Sequence, residues 1–352
     1  MANDADSSVE SGTAVLDRAP LPSAGPWPTV DPFLFCVHHI DAYPASDGRL
    51  APDASLDGRS IGNDFSALEG WNMYHGAAVP GFPQHPHRGF ETVTFVRQGL
   101  VDHADSMGAT ARYGEGDVQW LTAGGGIVHS EMFPLVHADR DNPLEMFQIW
   151  LNLPSASKMA TPHFAMLWAE DVPTIESTDD SGRRTAVTVV AGELEGLRPP
   201  APPPDSWAAA ADSDVAIWSA KLDPGASWRL PAAQEGTVRA LYVLRRSAGV
   251  TLDGEQLEPN SVAIVASDRA TTLLADGPSE VLVLQGRPIG EPVARYGPFV
   301  MNTEDEIHQA FADYRSTGFG GWPWQDDDPN HGNDAGRFAV HADGSLDEPN
   351  LS

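Results

Sequence analysis

The chain has one cysteine, Cys36, so no intrachain disulfide can form. That thiol lies in the apolar run Pro32-Phe33-Leu34-Phe35-Cys36-Val37, where cysteine packs as a small hydrophobe. Basic residues are few. Lys and Arg number 21 against 50 Asp and Glu, a formal net charge of −29. Such a surface repels a phosphate backbone or an anionic bilayer, so neither nucleic acid nor a membrane is an expected partner. The acidity fits a salty habitat or simple solubility equally well and says nothing about chemistry. No stretch approaches the ~20 apolar residues of a membrane span. The opening MANDADSSVESGTAVLDRAP lacks the apolar region of a signal peptide. A soluble, cytoplasmic protein is expected.

Helical periodicity is scarce too, whereas turn formers are abundant, with 30 Pro and 33 Gly. Between them run short alternating segments, which predicts an all-β protein. Residues 1–30 are rich in Ser, Asp, Ala and Pro and read as a disordered arm. Strand-like runs at Phe33–Val37, Trp71–His75, Glu91–Arg97, Val118–Leu121 and Met146–Leu153 define a first β domain over 31–165. Residues 166–214, with the strand-like VTVVAGEL and a Pro-rich stretch, read as a connection. A second alternating series fills 215–324, similar in length and pattern, which suggests two related β-barrels. It ends in the one clear helix, NTEDEIHQAFADYRSTG. There Thr303 and Glu306 form a capping box, Ile307, Ala310, Phe311 and Tyr314 share a face, and Gly318 supplies the stop. Residues 325–352 read as an acidic, partly disordered tail, with Trp322 and Trp324 tethering its start.

The chemistry is concentrated in histidine spacing. His85 and His87 stand two apart in FPQHPHRGF, and residues i and i+2 of a strand point to one side, so both imidazoles can reach one point inside a barrel. Pro86 between them suits a strand edge or bulge. In TAGGGIVHSEM, His129 and Glu131 repeat the spacing after a glycine run. Together these would give three imidazoles and one carboxylate, a donor set for a first-row divalent metal with room left for water, O₂ or a substrate oxygen. The bland alternative is two polar strand edges. Glu91, four residues after His87, rivals Glu131 for the carboxylate position. His38 and His39 face opposite ways on a strand, while His75 and His103 could enter the same cavity as supporting groups. The second series has no histidine from Ala165 to Ile307 and cannot build a like site. The segment 198–214, with Trp207, could lie across a cavity mouth.

The stretches FPQHPHRGFETVT, GDVQWLTAGGGIVHSEM, FQIWLNLP and YGPFVMNTEDEI resemble, in order, signature stretches of the pirins, a branch of the cupin superfamily. The resemblance spans about residues 31–324. It implies a bicupin of two antiparallel barrels with one mononuclear site in the first. Carried over position by position, its metal ligands are His85, His87, His129 and Glu131, the general cupin pattern using the Glu91 position instead. The implied metal is Fe(II), with Mn, Cu, Ni or Zn left open. The implied activity is a quercetin 2,3-dioxygenase-like cleavage of a flavonol or similar enol by O₂, with Glu131 as proton acceptor. Phe90, Phe95, Trp120, Phe147 and Trp150 are candidates for an apolar wall around the flat aromatic substrate. The alternative implied role is a non-enzymatic, iron-dependent regulator that binds a protein partner.

Overall fold

The computed structural model describes residues 13–350. Two antiparallel barrels carry the strands. In the first, one sheet has the order β10 (His163–Leu167), β7 (Val118–Thr122), β4 (Phe90–Gln98), β9 (Leu144–Asn152), β2 (Phe33–Asp41). The opposing sheet runs β3 (Gly81–His87), β8 (Ile127–Met132), β5 (Leu100–Asp105), β6 (Thr110–Gly114), and continues with β23 (Phe338–Val340) and β24 (Leu346–Asp347). The second barrel joins a seven-stranded sheet to a four-stranded one. The larger has the order β1 (Val15–Pro20), β18 (Ser261–Val265), β15 (Val238–Val243), β20 (Ser279–Gly286), β13 (Ala216–Leu222), β12 (Arg184–Ala191), β11 (Thr174–Thr178). The smaller is β14 (Ser227–Leu230), β19 (Thr271–Ala275), β16 (Val250–Leu252), β17 (Glu255–Leu257).

The period of two along each strand explains how the barrels pack. On β4, Val93 and Phe95 face the second barrel while Val96 faces the first barrel's interior. On β9, Phe147, Ile149 and Leu151 face the partner barrel, and Leu144 and Met146 point inward. The second barrel answers with Ile217, Ala240, Tyr242, Leu282 and Leu284, and Cys36 is buried in this shared layer. Its interior is a separate apolar core around Trp218, Leu241, Val243, Val281 and Val283.

Three domain expectations need correction. Residues 1–12 lie outside the described residues, but 13–30 are no arm: β1 pairs with β18 along the second barrel, and Trp27 stacks on Tyr242 at 5.4 Å. The connection 166–214 contributes β11 and β12 to the second barrel's large sheet. The tail is seated on the first barrel, where β23 pairs with β6, Arg337 bonds Asp117 at 2.7 Å and Trp168 donates to Asp347 at 2.9 Å. Trp324 does tether its start, donating to the Asp105 carbonyl at 2.8 Å.

Helix α1 (Glu304–Thr317) has the expected capping box and ends at Gly318 in the left-handed region, φ 56°. It follows the second barrel in sequence yet belongs in space with the first. A hairpin of β21 (Ala294–Tyr296) and β22 (Phe299–Met301) leads into it, and Val300 N–H donates to the Arg88 carbonyl at 3.0 Å. Arg88 in turn bonds Asp313 at 2.7 Å and lies over the Phe319 ring. Gly126 lets that ring approach, since a Cβ there would stand 2.6 Å from it. Gly89 plays the same part for the hairpin, because a Cβ at φ +84° would run into the Val300 carbonyl oxygen.

This close approach predicts unequal costs for two glycine substitutions. Gly344 has a similar φ, +83°, with open space around it, so Gly344→Ala should cost about 1 kcal/mol of backbone strain. Gly89→Ala should cost about 3 kcal/mol or more, because backbone must move as well. Urea unfolding measures both. Equal costs would mean that the hairpin does not press on Gly89.

Candidate metal centre

β3 and β8 pair so that His85 stands directly opposite His129 and His87 opposite Ile127. A register shift between Phe82 and His85 marks a bulge, which re-aims the histidines. β3 is the edge of its sheet, which tolerates Pro83 and Pro86 without loss of ladder bonds. The i, i+2 pair and the cross-strand partner therefore converge. His85, His87 and His129 bring their ligand nitrogens within 4.8 Å of one another. Ring centroids lie 4.5 Å apart for His85 and His129, 4.8 Å for His85 and His87, and 4.9 Å for His87 and His129.

Hydrogen bonds orient two of the rings. The Pro83 carbonyl lies 2.9 Å from His85 Nδ1, and the Pro298 carbonyl, brought in by the hairpin before α1, lies 3.4 Å from His87 Nδ1. Each ring thus keeps Nε2 for a metal. His129 is fully buried, and among the described residues neither ring nitrogen has a hydrogen-bond partner. A buried imidazole without a partner is costly in a closed polypeptide and ordinary for a metal ligand, so these residues fit a first-row ion. Burial depresses all three histidines, His85 to about 4 and the other two well below their usual range. They are neutral, as ligation requires.

Glu131 follows on β8, its Oε2 3.9 Å from His129 Nε2. Thr94 Oγ1 donates to Glu131 Oε1 at 3.0 Å and Gln148 Nε2 to Oε2 at 2.8 Å. Burial raises its pKa. Glu91 is excluded from this cluster: its side chain shares the outward parity of Val93 and Phe95, accepting from Thr122 at 2.7 Å and from Ser206 at 2.5 Å. There, burial pushes its carboxyl up to about 7.

A cavity of about 480 Å³ reaches the cluster. His85, His87, Glu131 and Gln148 form part of its lining, Phe35, Phe82 and Trp150 part of its apolar wall, and the exposed Ser23–Pro26 and Arg245 part of its rim. Of the expected wall residues, Trp150 lines the cavity and Phe90 packs against it at 4.2 Å, whereas Phe95, Trp120 and Phe147 lie in the layer between barrels. His103 supports the cluster, 5.5 Å from the His129 ring and 3.2 Å from Asp105. His75 does not, being exposed and bonded to the Gly62 carbonyl. His38 is held by Glu145 at 3.0 Å. Trp207 is not at this mouth; it donates to the Arg287 carbonyl at 2.9 Å, over the barrel interface. Sequence reasoning missed a chain along the wall: Tyr74 O–H donates to Asp41 at 2.7 Å, and His39 Nδ1 lies 2.7 Å from the same hydroxyl. It also missed Thr94 and Gln148. Their pattern of polar residues on buried strands was the only available signal.

Two family models match: that described as Pirin over residues 56–151, a span containing all three histidines, and the Pirin C-terminal cupin domain over 217–320. The chain belongs to the pirin family. A Pseudomonas aeruginosa protein named "Putative quercetin 2,3-dioxygenase" is 38% identical over 68% of this chain and 79% of its own length. Human pirin is 33% identical over 70% of this chain and 80% of its own. Among solved structures, that of a quercetin 2,3-dioxygenase from Acinetobacter baumannii superposes with a TM-score of 0.65, at 32% identity, over 83% of this chain and 87% of the other. The two cupin-type barrels are thus a pirin bicupin. No helix among the described residues is long and apolar enough to cross a membrane.

The depressed histidines give a pH signature in the metal-free protein. Burial pushes His85 down to about 4 from the ordinary imidazole value of 6.5, so between these limits the unfolded chain takes a proton that the fold refuses. Stability should therefore drop as the pH is lowered through that window, by about 1.4 kcal/mol per unit for each such histidine. His85→Gln should flatten the slope in chelator-treated protein. An unchanged slope would show that His85 is not buried and neutral.

Proposed function

We propose that this pirin is a metal-dependent dioxygenase acting on a flavonol or similar enol, with His85, His87, His129 and Glu131 as the ligand set. The observation that carries this reading is the solvent-open cavity of about 480 Å³ lined by His85, His87 and Glu131, with buried His129 completing the histidine cluster. That volume lies within the range of small-molecule sites. A bound Fe(II), or Mn, Cu, Ni or Zn in its place, would supply Lewis acidity toward the substrate hydroxyl and, for a redox ion, reactivity toward O₂.

The chain's own residues do the rest. Glu131, raised by burial and held by Thr94 and Gln148, would accept the enol proton. Phe35, Phe82 and Trp150 offer faces to a flat ring and keep water from it. The names of the Pseudomonas and Acinetobacter relatives support the same substrate class.

Metal content by mass spectrometry, followed by O₂ uptake with quercetin, tests the proposal. His85→Ala, His87→Ala and His129→Ala should each lose bound metal, and His308→Ala, on the exposed face of α1, should retain it. Glu131→Gln should weaken metal binding and abolish uptake, while Glu91→Gln should leave metal in place. Full metal in all three histidine variants would overturn the site. One equivalent of metal without O₂ uptake across a flavonoid panel would overturn the activity and reassign the site to metal-dependent partner binding.

A further inference from the structure

The second barrel has no histidine cluster, but it has a buried cation without a counter-ion contact among the described residues. Arg239 lies on β15 with the inward parity of Leu241 and Val243, so its side chain enters the barrel interior near one end. It is fully buried. Its Nε donates to Gln285 at 2.7 Å, from the residue directly opposite on β20, and neither Nη1 nor Nη2 has a hydrogen-bond partner among the described residues. Burial pulls the guanidinium down to about 10, which still leaves it charged near neutrality. Asp214 is the nearby acid, but its Oδ2 accepts from Gln234 N–H at 2.9 Å and from Thr237 Oγ1 at 2.8 Å rather than from Arg239.

A cavity of about 270 Å³ adjoins this group. Arg239, Trp218 and Gln285 line its inner part, and Pro231, Ala233 and Gln234 its outer part. Trp218, 5.9 Å below the guanidinium, has an indole N–H that also lacks an acceptor. Two kinds of buried donor therefore stand unsatisfied beside one cavity, and what would satisfy both is an acceptor with negative charge.

We propose that the end of the second barrel is a binding site for a small organic carboxylate, paired to Arg239 and packed against Trp218. The planar guanidinium matches a carboxylate through two parallel bonds. Glu193 and Asp214 also line the cavity, which disfavours a multiply charged anion such as phosphate. The volume suits a ligand smaller than the usual drug-sized occupant. This site lies in a different barrel from the histidine cluster, and the proposal stands apart from the dioxygenase reading.

Thermal unfolding and calorimetric titration of the metal-loaded protein with acetate, benzoate and inorganic phosphate, at matched ionic strength, decide it. Acetate or benzoate should raise the melting temperature saturably. Arg239→Gln should weaken that binding about tenfold or more, and His87→Ala, which empties the other barrel, should leave it intact. Without anion, Arg239→Met should melt no lower than the parent, because it removes an uncompensated buried charge. Ala233→Phe, which fills the half-buried rim and keeps the arginine, should abolish binding and so covers the case in which the Arg239 variants fail to fold. No saturable response in the parent, an equal response in Arg239→Gln, or retained binding in Ala233→Phe would each overturn the site. A response to phosphate alone would overturn the carboxylate assignment.

Discussion

The desolvation of three imidazoles at one point in a barrel is the constraint on which the first domain depends. Each ring alone can be held in an apolar interior by a single carbonyl, as Pro83 holds His85. Three rings whose ligand nitrogens lie within 4.8 Å of one another compete for the same few protein partners, and His129 has none among the described residues. Burial favours their neutral forms, neutral imidazoles are what ligation requires, and a metal ion could use all three lone pairs together. The surrounding polar groups follow from this. Thr94, Gln148 and His103 are buried polar residues on three different strands, and they surround the side of the cluster where Glu131 lies.

The same alternation that assembles the cluster separates the two carboxylates. Glu91 and Glu131 are both fully enclosed, and burial raises both. They differ in which side of a strand they leave. Glu91 departs from β4 toward the second barrel and is held there by Ser206 from the Pro-rich loop, so it ties that loop to the interface. The bicupin arrangement creates this ambiguity. In a single barrel the outer face of β4 would be wet, and a glutamate there would need no explanation.

That doubly buried layer also marks how far the residues could be read. The all-β class, the two series of strands, the capped helix and the convergence of His85, His87 and His129 were legible, because each rests on spacing within one segment or on paired i, i+2 motifs. The choice of carboxylate was not legible from β4 alone, since seven of its nine residues are buried and neither face looks like a surface. The wall residues failed for the same reason: Phe95, Trp120 and Phe147 are as apolar as Trp150, and only their parity removes them from the cavity. His39, Tyr74 and Asp41 come from two separated segments, and no local pattern announces a hydrogen-bonded chain across them.

The ends of the chain were misread for a different reason, and it bears on how the two barrels hold together. β1 has one buried side chain among six residues, yet it closes the edge of the second barrel by backbone bonding to β18. β23 extends the first barrel in the same way through β6. An edge strand can be secured by main-chain hydrogen bonds while its side chains stay polar, so composition reports disorder where pairing has occurred. The result is an exchange: the N-terminal segment belongs to the C-terminal barrel, and the C-terminal segment, from Pro298 at His87 to β23 on β6, belongs to the N-terminal one. Each barrel is completed by chain from beyond the other. One of those crossings supplies the carbonyl at His87, so a segment that follows the second barrel in sequence helps to orient the histidine cluster, although all three histidines come from the first.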